Sequence, residues 1–405
     1  MPCFRVMEQP PSFRSSNVTF PTEREAKRRF LLSAVDQIRD VVKDTADEAE
    51  KSRTLPGVLF DAMYETGLFW MKLPEVLGGA EADPLIQVEV IESLARLDAS
   101  AAWNVMIGSQ SIALPAAWLP DAALDEVFIE GDFPVAAGSL MPSGIGVPEP
   151  GGFRVTGRWS FASGIRHCRW VNATVRVTRP EQPDVELHRV VIPTADVTVH
   201  DNWDSIGLKG TGSCDFSVSD YFVPNAFSWS FQDKPRRGGR LHLLGLPGYV
   251  AYEHAALALG VARNSLDLVT GRAGGKERGF EGSLVGHRSS FQRDLGKFDI
   301  QLTAMRSMVF EVFGEVWDGL QPRQQPAPNQ QAQMRSVATL ATEVALEIAG
   351  NAFRYAGGEG VYQHDPIQKC WRDLATAGQH FLVSDTAYEN HGKFLLGHED
   401  AKAFG

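Results

Sequence analysis

Cysteine is scarce in this 405-residue sequence, which contains only Cys3, Cys168, Cys214 and Cys370. These residues lie far apart and form no Cys-x-x-Cys pair, so the sequence offers neither a zinc-binding motif nor a disulfide framework. The His-Glu-x-x-His and EF-hand spacings of common metal sites are also missing. We therefore predict a protein of a reducing compartment, with no metal site.

Long apolar runs are absent as well. Charged or polar residues interrupt every apolar stretch before it is long enough to span a bilayer. The first residues, MPCFRVMEQPPSFRSS, contain no apolar segment of the kind found in signal peptides. The sequence therefore predicts a cytoplasmic protein that does not bind membranes, with a disordered N-terminus over residues 1–21.

Positive charge is in deficit, with a net charge of −11. The basic cluster Lys234–Arg240 is interrupted by glycines, and we interpret it as a solvated loop that could gate a pocket. Nucleic acids are bound through clustered cations that neutralise phosphates, so we predict no nucleic-acid partner. The sequence also lacks the Gly-x-Gly-x-x-Gly motif of dinucleotide-binding folds and the P-loop of nucleotide triphosphatases.

Helical periodicity dominates the first third of the chain. An amphipathic helix is predicted from Thr22 through Val42, and further helices begin after Pro56 and at Asp83-Pro84. Two more are expected over residues 101–118 and 121–130. This part of the chain is therefore predicted to be all-α.

The composition then changes twice. Glycine, β-branched and aromatic residues become frequent from Val135 to Pro224 and predict strands. Helical periodicity returns in four long segments, at 249–270, 291–317, 334–355 and 366–396, with a Pro/Gln-rich connection at 319–333. We predict an α+β fold: an N-terminal all-α domain (22–133), a small central β-barrel or sandwich domain (134–226) and a C-terminal four-helix bundle (227–405).

The stretch at 357–380, GGEGVYQHDPIQKCWRDLATAGQH, combines a glycine pair with two histidines. Glycines let a backbone approach a ligand closely. On one continuous helix, Asp373 and His380 would project from the same face about 10 Å apart, where they could line one pocket. On its own, a histidine such as His380 is more often a partly buried structural side chain than a catalyst.

The β region carries AAGSLMPSG at 136–144 and GGFRVTGRWSFASGIRHCRW at 151–170. Bulky aromatic residues there surround small hydroxylated ones such as Ser160 and Ser163. This mixture could stack on a flat heterocycle and hydrogen-bond its edge, although aromatic strands more often form a sheet core.

Together these motifs resemble the flavin-dependent monooxygenases of the acyl-CoA dehydrogenase fold. The similarity rests on the β-region motifs, on WDSIGLKGTGSCDFSVSDYFVP at 203–224 and on the C-terminal glycine, proline and Arg-Asp spacing, and it runs from about Leu31 to Leu396. The dehydrogenases of that superfamily have a catalytic glutamate just before the proline, where this sequence has His364. The monooxygenases have instead a histidine after the Arg-Asp pair, which corresponds here to His380.

The resemblance implies a two-component monooxygenase that uses O2 and reduced FMN, in preference to FADH2, through a C4a-hydroperoxide. It implies that Ser163 lies beside the reactive flavin atoms and that His380, whose pKa is expected to be near neutral, acts as the acid/base. The arginines Arg263 and Arg288 match family positions that contact phosphate, although either could be an ordinary surface arginine. The implied flavin-binding residues are Ser139, Pro142, Phe161, Ala162, Ser163, Arg263, Arg288, Gly357 and Gly358.

The expected substrate is an aromatic or heteroaromatic small molecule. Family members that act on phenols often carry a histidine where this sequence has Ser109, Gln110 and Ser111. We predict Gln110, Trp229 and His364 as substrate-binding residues. Oxygenation at carbon, nitrogen or sulfur remains open, including N-oxygenation of an amino sugar or another amine.

The missing dinucleotide-binding motif indicates that the protein needs a partner that supplies electrons. A separate NAD(P)H:flavin reductase is expected to supply the reduced flavin, and the resemblance implies a homotetramer. Two alternatives stay open, an acyl-CoA dehydrogenase with FAD and a non-enzymatic flavin-binding scaffold.

Overall fold

The fold is described from a computed structural model that covers residues 18–128, 134–179, 182–278 and 282–404. Most of the N-terminal segment predicted to be disordered lies outside these ranges. Within its described part, Phe20 packs edge to face against Phe30, with ring centroids 5.5 Å apart. The chain is therefore packed on the protein before the first helix begins.

Helices account for most of the described chain and occur on both sides of the strand-rich region. The α-helices are α1 (Arg24–Gln37), α2 (Arg39–Ser52), α3 (Gly57–Glu65), α4 (Pro84–Ala95), α5 (Ala99–Trp118), α6 (Asp121–Val127), α7 (Gly248–Ala273), α8 (Ser289–Gly319), α9 (Pro328–Ala356), α10 (Pro366–Ala377) and α11 (Thr386–Leu395).

The strands form one large sheet and one short hairpin. They are β1 (Ala136–Gly138), β2 (Gly144–Glu149), β3 (Gly152–Ala162), β4 (Trp170–Arg179), β5 (Gln182–Pro193), β6 (Thr198–His200), β7 (Cys214–Pro224), β8 (Ser228–Ser230), β9 (Glu277–Arg278) and β10 (Ser283–Leu284). The large sheet has the order β6-β7-β3-β2-β4-β5-β8, and β1 pairs with β4.

The sheet is irregular at two places, between β1 and β2 and at the end of β3. Strands β1 and β2 both pair in parallel with β4, so residues 139–143 loop out of the sheet between them. Strand β3 is irregular near its end, where its register with β7 shifts between Trp159 and Ala162. Helix α5 packs on β1, and α7 packs on α9. The described elements confirm the predicted α+β fold, with helices before and after a strand-rich region.

Several boundaries differ from the sequence predictions. The first predicted helix is two helices, because the backbone leaves helical geometry at Ile38, a buried residue with ψ of 2°. The Pro/Gln-rich connection is shorter than predicted: α9 begins at Pro328, and Gln331 is buried and donates to the carbonyl of Leu244. Because Gln331 is a polar residue in the core, the sequence of this helical turn resembles that of a linker.

The basic cluster at 234–240 is also not simply a solvated loop. Arg237 Nη1 donates to the carbonyls of Ala116 and Leu119, each at 2.7 Å, at the end of α5. Arg240 donates to the carbonyl of Trp317 near the end of α8. The last carbonyls of a helix lack partners within the helix and carry partial negative charge, so these cations satisfy two helix C-termini.

None of the helices in the described ranges is both long enough and apolar enough to cross a bilayer.

Candidate functional site

Trp103, in the first half of α5, is the residue around which the two predicted catalytic residues meet. Its indole nitrogen donates to Ser163 Oγ at 2.9 Å. The same ring lies edge-on to the imidazoles of His254 and His380, with centroids 5.4 and 5.7 Å away. The turn after β3, helices α5 and α7, and the segment after α10 therefore converge on one cluster, which we call the Trp103 cluster (Trp103, Ser163, His254 and His380).

The hydroxyl of Ser163 belongs to a directed chain of hydrogen bonds. Ser163 Oγ lies 2.7 Å from Ser213 Oγ, which lies 2.6 Å from Thr211 Oγ1. Thr211 gives its only hydroxyl proton to the carbonyl of Leu208 at 2.7 Å, so Ser213 must donate to Thr211, and Ser163 to Ser213. Because Ser163 already accepts from Trp103, one lone pair on its oxygen remains for a ligand.

This chain is anchored by Asp373, which accepts a hydrogen bond from the Leu208 amide at 2.6 Å. Lys369 Nζ donates at 2.8 Å to both Asp373 and Asp98, and Asp98 in turn caps the start of α5 by accepting from Ala101 N. The prediction that Asp373 lines a pocket with His380 is therefore wrong. Helix α10 ends at Ala377, and the carboxylate of Asp373 is buried in the scaffold beneath the cluster.

His380 lies beyond the end of α10, at the start of a short 3-10 turn over Phe381–Val383. Its ring is partly buried and lies at a tilt of 31° to that of His254, with centroids 4.5 Å apart. Its Nδ1 accepts from the Leu382 amide at 3.4 Å, so the neutral ring carries its proton on Nε2. Burial lowers the pKa of His380 to about 4, contrary to the near-neutral value expected from the sequence.

His254 is more enclosed, at 3% exposure. Burial, and then the nearby His380 and Lys72, lower its pKa well below the ordinary histidine value. Both imidazoles are therefore neutral at pH 7. Next to His254 in the sequence, Glu253 forms a buried ion pair with Lys72, with 2.6 Å between Oε2 and Nζ.

The residues around Ser163 fit a flat ring with a polar edge. Phe161, two residues before Ser163, is 68% exposed and has a φ of 67°, a region that non-glycine residues rarely adopt. Met141, two residues after the buried Ser139, is 50% exposed. Two large apolar side chains close in sequence to Ser139 and Ser163 are therefore exposed, as a flavin-binding site would require. Of the other residues implied for the ring, Ala162 is buried and Pro142 is half-buried.

The glycine turn lies away from the Trp103 cluster. Gly357 adopts a φ of 64°, a conformation that favours glycine, and Gly358 is exposed. His364 is exposed and stacks on Tyr362, with centroids 5.6 Å apart. Since α10 separates this end from His380 by about 18 Å, the structure does not bring His364 to the predicted catalytic histidine.

Both predicted phosphate-binding arginines are engaged within the protein. Arg263 Nη1 pairs with Asp299 at 2.9 Å, and it lies about 14 Å along α7 from His254. Arg288, just before α8, donates to Ser283 Oγ at 2.9 Å. Neither side chain contacts the Trp103 cluster.

The predicted substrate residues on α5 and β8 lie at different depths. Gln110 is half-buried and follows Trp103 by two helical turns, about 10 Å along the same face. Trp229 is buried and stacks on Trp118 at the far end of α5, with centroids 6.3 Å apart. This places Trp229 about 22 Å along the helix from Trp103.

Sequence reasoning missed Trp103, His254 and Lys369 as parts of the site. Trp103 lies in the helix predicted over residues 101–118, and its indole N–H could have suggested a polar partner. His254 lies in an apolar helix, where a lone histidine gives no signal without its partner from a distant segment. Lys369 joins the site only through the contact between α5 and α10, which the sequence does not show.

Two family models match this chain, one in its N-terminal part and one in its C-terminal part. Residues 24–119 match the family model for the acyl-CoA dehydrogenase N-terminal domain, and residues 252–385 match the one for the C-terminal domain. The chain is 26% identical to the indole-3-acetate monooxygenase of Pseudomonas putida over 366 residues, which cover 90% of this chain and 93% of the relative. It is 24% identical to the FADH(2)-dependent resorcinol hydroxylase oxygenase component of Rhizobium sp., over 91% of this chain and 94% of that protein.

Solved structures share the fold over nearly the whole chain. The 3-HSA hydroxylase from Rhodococcus sp. RHA1 superposes with a TM-score of 0.84, 22% identity and coverage of 92% of this chain and 98% of that one. XiaF from Streptomyces sp., solved with FADH2 and glycerol, has a TM-score of 0.82, 25% identity and coverage of 93% and 98%. With the two family matches and the monooxygenase relatives, these findings identify the chain as a member of the acyl-CoA dehydrogenase family and, within it, of the flavin-dependent monooxygenases.

Proposed function

We propose that this protein is the oxygenase component of a two-component system, which inserts one oxygen atom of O2 into an aromatic or heteroaromatic small molecule. The observation that carries the proposal is the convergence of Ser163 and His380 on Trp103, where the sheet meets both sets of helices. When bound, reduced flavin would supply the activation of O2. The protein's own residues would position the ring, exclude water and handle protons.

Ser163 would act as a hydrogen-bond acceptor. Its proton is committed to Ser213, and its remaining lone pair would accept a hydrogen bond from an N–H on the edge of the reduced ring. Trp103 fixes the position of this oxygen from the other side. A preorganised acceptor of this kind costs no rearrangement when the ring binds.

His380 would serve the substrate as a neutral imidazole. With Nδ1 occupied by the Leu382 amide, its Nε2–H would donate to an oxygen that gains negative charge as the substrate is oxygenated. The buried ring of His254 lies beside it, with centroids 4.5 Å apart. An anionic substrate bound beside His380 would raise its pKa and strengthen this hydrogen bond.

Names of relatives support an aromatic substrate: indole-3-acetate monooxygenases of Pseudomonas putida and Acinetobacter baumannii, and a resorcinol hydroxylase of Rhizobium sp.. Solved structures of the same fold hold either FADH2 or FMN, so our preference for FMN remains a proposal. We also propose a separate NAD(P)H:flavin reductase, a homotetramer and a cytoplasmic location. Gly357, Gly358, Arg263 and Arg288 remain proposed flavin-binding residues, and Gln110 and His364 proposed substrate-binding residues.

An acyl-CoA dehydrogenase is the second candidate, because one carboxylate has a suitable proton affinity. Burial raises the pKa of Glu253 to about 7, and its Oε1 has no hydrogen-bond partner. However, Glu253 is fully enclosed and paired with Lys72. Asp365, beside the family's usual position, is buried, pairs with Arg272 and caps α10. Each of these carboxylates is already engaged by the protein.

A single-turnover experiment separates these candidates. The protein would be mixed with reduced FMN and indole-3-acetate under nitrogen, then with 18O2. We expect a product that contains one 18O atom and a hydrogen peroxide yield below one per FMN. If every FMN gave one hydrogen peroxide with each aromatic compound offered, and an acyl-CoA bleached the enzyme-bound oxidised flavin, the dehydrogenase would replace our proposal.

A further inference from the structure

Arg189 on β5 is a buried cation without a counter-ion. It is 5% exposed, and no carboxylate of the described residues lies within ion-pair distance of its guanidinium. Burial lowers its pKa to about 10, so it is still protonated at pH 7. Buried charges in proteins are almost always paired, because removing an ion from water is costly. An anion from outside the chain would complete this site.

Its hydrogen bonds within the protein use only part of the guanidinium. Nη1 donates to the carbonyl of Ser139 at 2.6 Å and to Thr174 Oγ1 at 2.8 Å. Nε is buried with no partner. Nη2 also forms no hydrogen bond with the described residues, and at 5% exposure the Arg189 side chain keeps a small contact with solvent. The free donors Nε and Nη2 lie on one edge of the planar group, the geometry that binds a carboxylate through two oxygens.

The site faces helix α5. Asn172 and Thr174 alternate along β4 on one face of the sheet, and Asn172 Nδ2 donates to the carbonyl of Ser111 at 2.5 Å. Arg189 bonds to Thr174 and thus shares this face. Ser111 follows Trp103 by eight residues, so this site lies about 12 Å along α5 from the Trp103 cluster.

Aromatic side chains occupy the next positions. Trp229 is the cross-strand partner of Arg189 between β5 and β8, and it stacks on Trp118. Arg189 is therefore a cation that lies beside two stacked indoles. An aromatic acid bound here would place its carboxylate on Arg189 and extend its ring toward the Trp103 cluster.

We propose that Arg189 binds the carboxylate of the substrate, so that the enzyme acts on aromatic carboxylic acids held by their acid group at the Arg189 end of α5. This inference rests on the proposed function, which it narrows to a substrate class. An anionic reduced flavin is the other possible source of the negative charge. We favour the substrate because the site is separated from Ser163 by two turns of α5.

Equilibrium binding to the full-length protein tests this without turnover. Calorimetry would compare indole-3-acetate with indole-3-acetamide, and benzoate with benzamide, for the wild type, Arg189→Met, Arg189→Lys and Arg176→Met. Arg176 is an exposed arginine on the neighbouring strand β4 and provides the matched control. We expect the wild type and Arg176→Met to prefer at least one acid over its amide by roughly 30-fold or more. Arg189→Met should bind acid and amide equally, and Arg189→Lys should keep part of the preference.

The same variants are then titrated anaerobically with reduced FMN. Unchanged affinity in Arg189→Met, together with loss of the acid preference, supports the proposal. Weaker reduced-FMN binding with an intact acid preference would assign the charge to the flavin and overturn it. The proposal would also be overturned if the wild type bound neither acid more tightly than its amide. This comparison does not depend on any variant folding. The 18O2 experiment reports separately on whether the protein is an oxygenase at all.

Discussion

The two ends of helix α5 differ in how completely their polar groups are satisfied. At the Trp103 end, the hydroxyls of Ser163, Ser213 and Thr211 form a closed chain that ends on a backbone carbonyl. At the Ser111 end, Arg189 Nε and Asn172 Oδ1 are buried without partners.

This difference distinguishes a preorganised catalytic site from a binding site that a ligand completes. A closed network holds its members in one geometry before any ligand arrives, which suits a position beside a reacting ring. A buried donor or charge without a partner costs stability, and a bound ligand that supplies the missing acceptor offsets this cost. The Trp103 end is thus suited to the oxygenation reaction, and the Arg189 end to substrate binding.

The largest expected effect comes from breaking the buried ion pair behind His254. Lys72→Met would leave Glu253 enclosed without its cation, and we expect the free energy of unfolding to fall by about 3–5 kcal/mol. Urea denaturation measures this change. The double variant Lys72→Met/Glu253→Leu should recover most of the loss, and a double variant as unstable as the single one would show that the pair itself is not the cause.

Ser163→Ala should follow in size. Removing the acceptor and interrupting the hydroxyl chain costs about 1.5–3 kcal/mol, so the product formed per FMN oxidised should fall by roughly 10- to 100-fold. The measurement is the ratio of product to hydrogen peroxide. Ser160→Ala, at a half-buried serine on β3 just before Ser163, is the control and should leave the ratio unchanged. Equal ratios in wild type and Ser163→Ala would refute the assigned role.

The pH dependence of stability should reflect the buried imidazoles. The folded-state pKa of His380 is about 4, below the unfolded value of about 6.5, so the unfolded chain binds more protons between these values. Stability should therefore fall as the pH drops from about 6.5 to 4. In His380→Gln the loss between pH 7 and pH 5 should be smaller by about 1 kcal/mol, allowing for partial exposure. His398→Gln, at an exposed histidine, should behave as the wild type does; a His380→Gln profile identical to both would contradict the assignment.

The smallest effect is expected at Arg189, in contrast to Lys72. Arg189→Met leaves no unpaired charge behind, because Arg189 has no counter-ion. Removing a buried cation offsets the loss of its hydrogen bonds to Ser139 and Thr174, so the free energy of unfolding should change by no more than about 1 kcal/mol. Thermal denaturation in the absence of ligand measures it. A loss as large as that of Lys72→Met would show that Arg189 is structural, and the contrast between the two ends of α5 would disappear.

Sequence patterns predicted the elements well where periodicity and caps were strong. Asp83-Pro84 marks the start of α4 as expected, and the strand-rich region and the family were identified correctly. The end of α10 was missed because Gly378 and Gln379 do not interrupt the amphipathic pattern, although the chain turns there and removes His380 from the face of Asp373. Patterns of one segment cannot reveal such a turn.

The site was predictable only in part, for a physical reason. Ser163 and His380 belong to sequence motifs. The residues that connect them come from other segments, and only tertiary contacts show that these residues belong to the site. The depressed pKa of His380 likewise arises from burial that the fold creates. Arg189 gives no sequence signal at all, since an arginine in a strand is ordinarily exposed and only the folded sheet encloses it.

The most direct test is the fraction of FMN-derived oxidising equivalents released as hydrogen peroxide, measured with the preferred aromatic acid at rising concentrations. The account predicts that Ser163→Ala releases most of them as peroxide at every concentration, whereas Arg189→Met does so only at low concentration and recovers as the acid approaches saturation. If both variants responded to concentration in the same way, the division of α5 into a chemical end and a recognition end would be wrong.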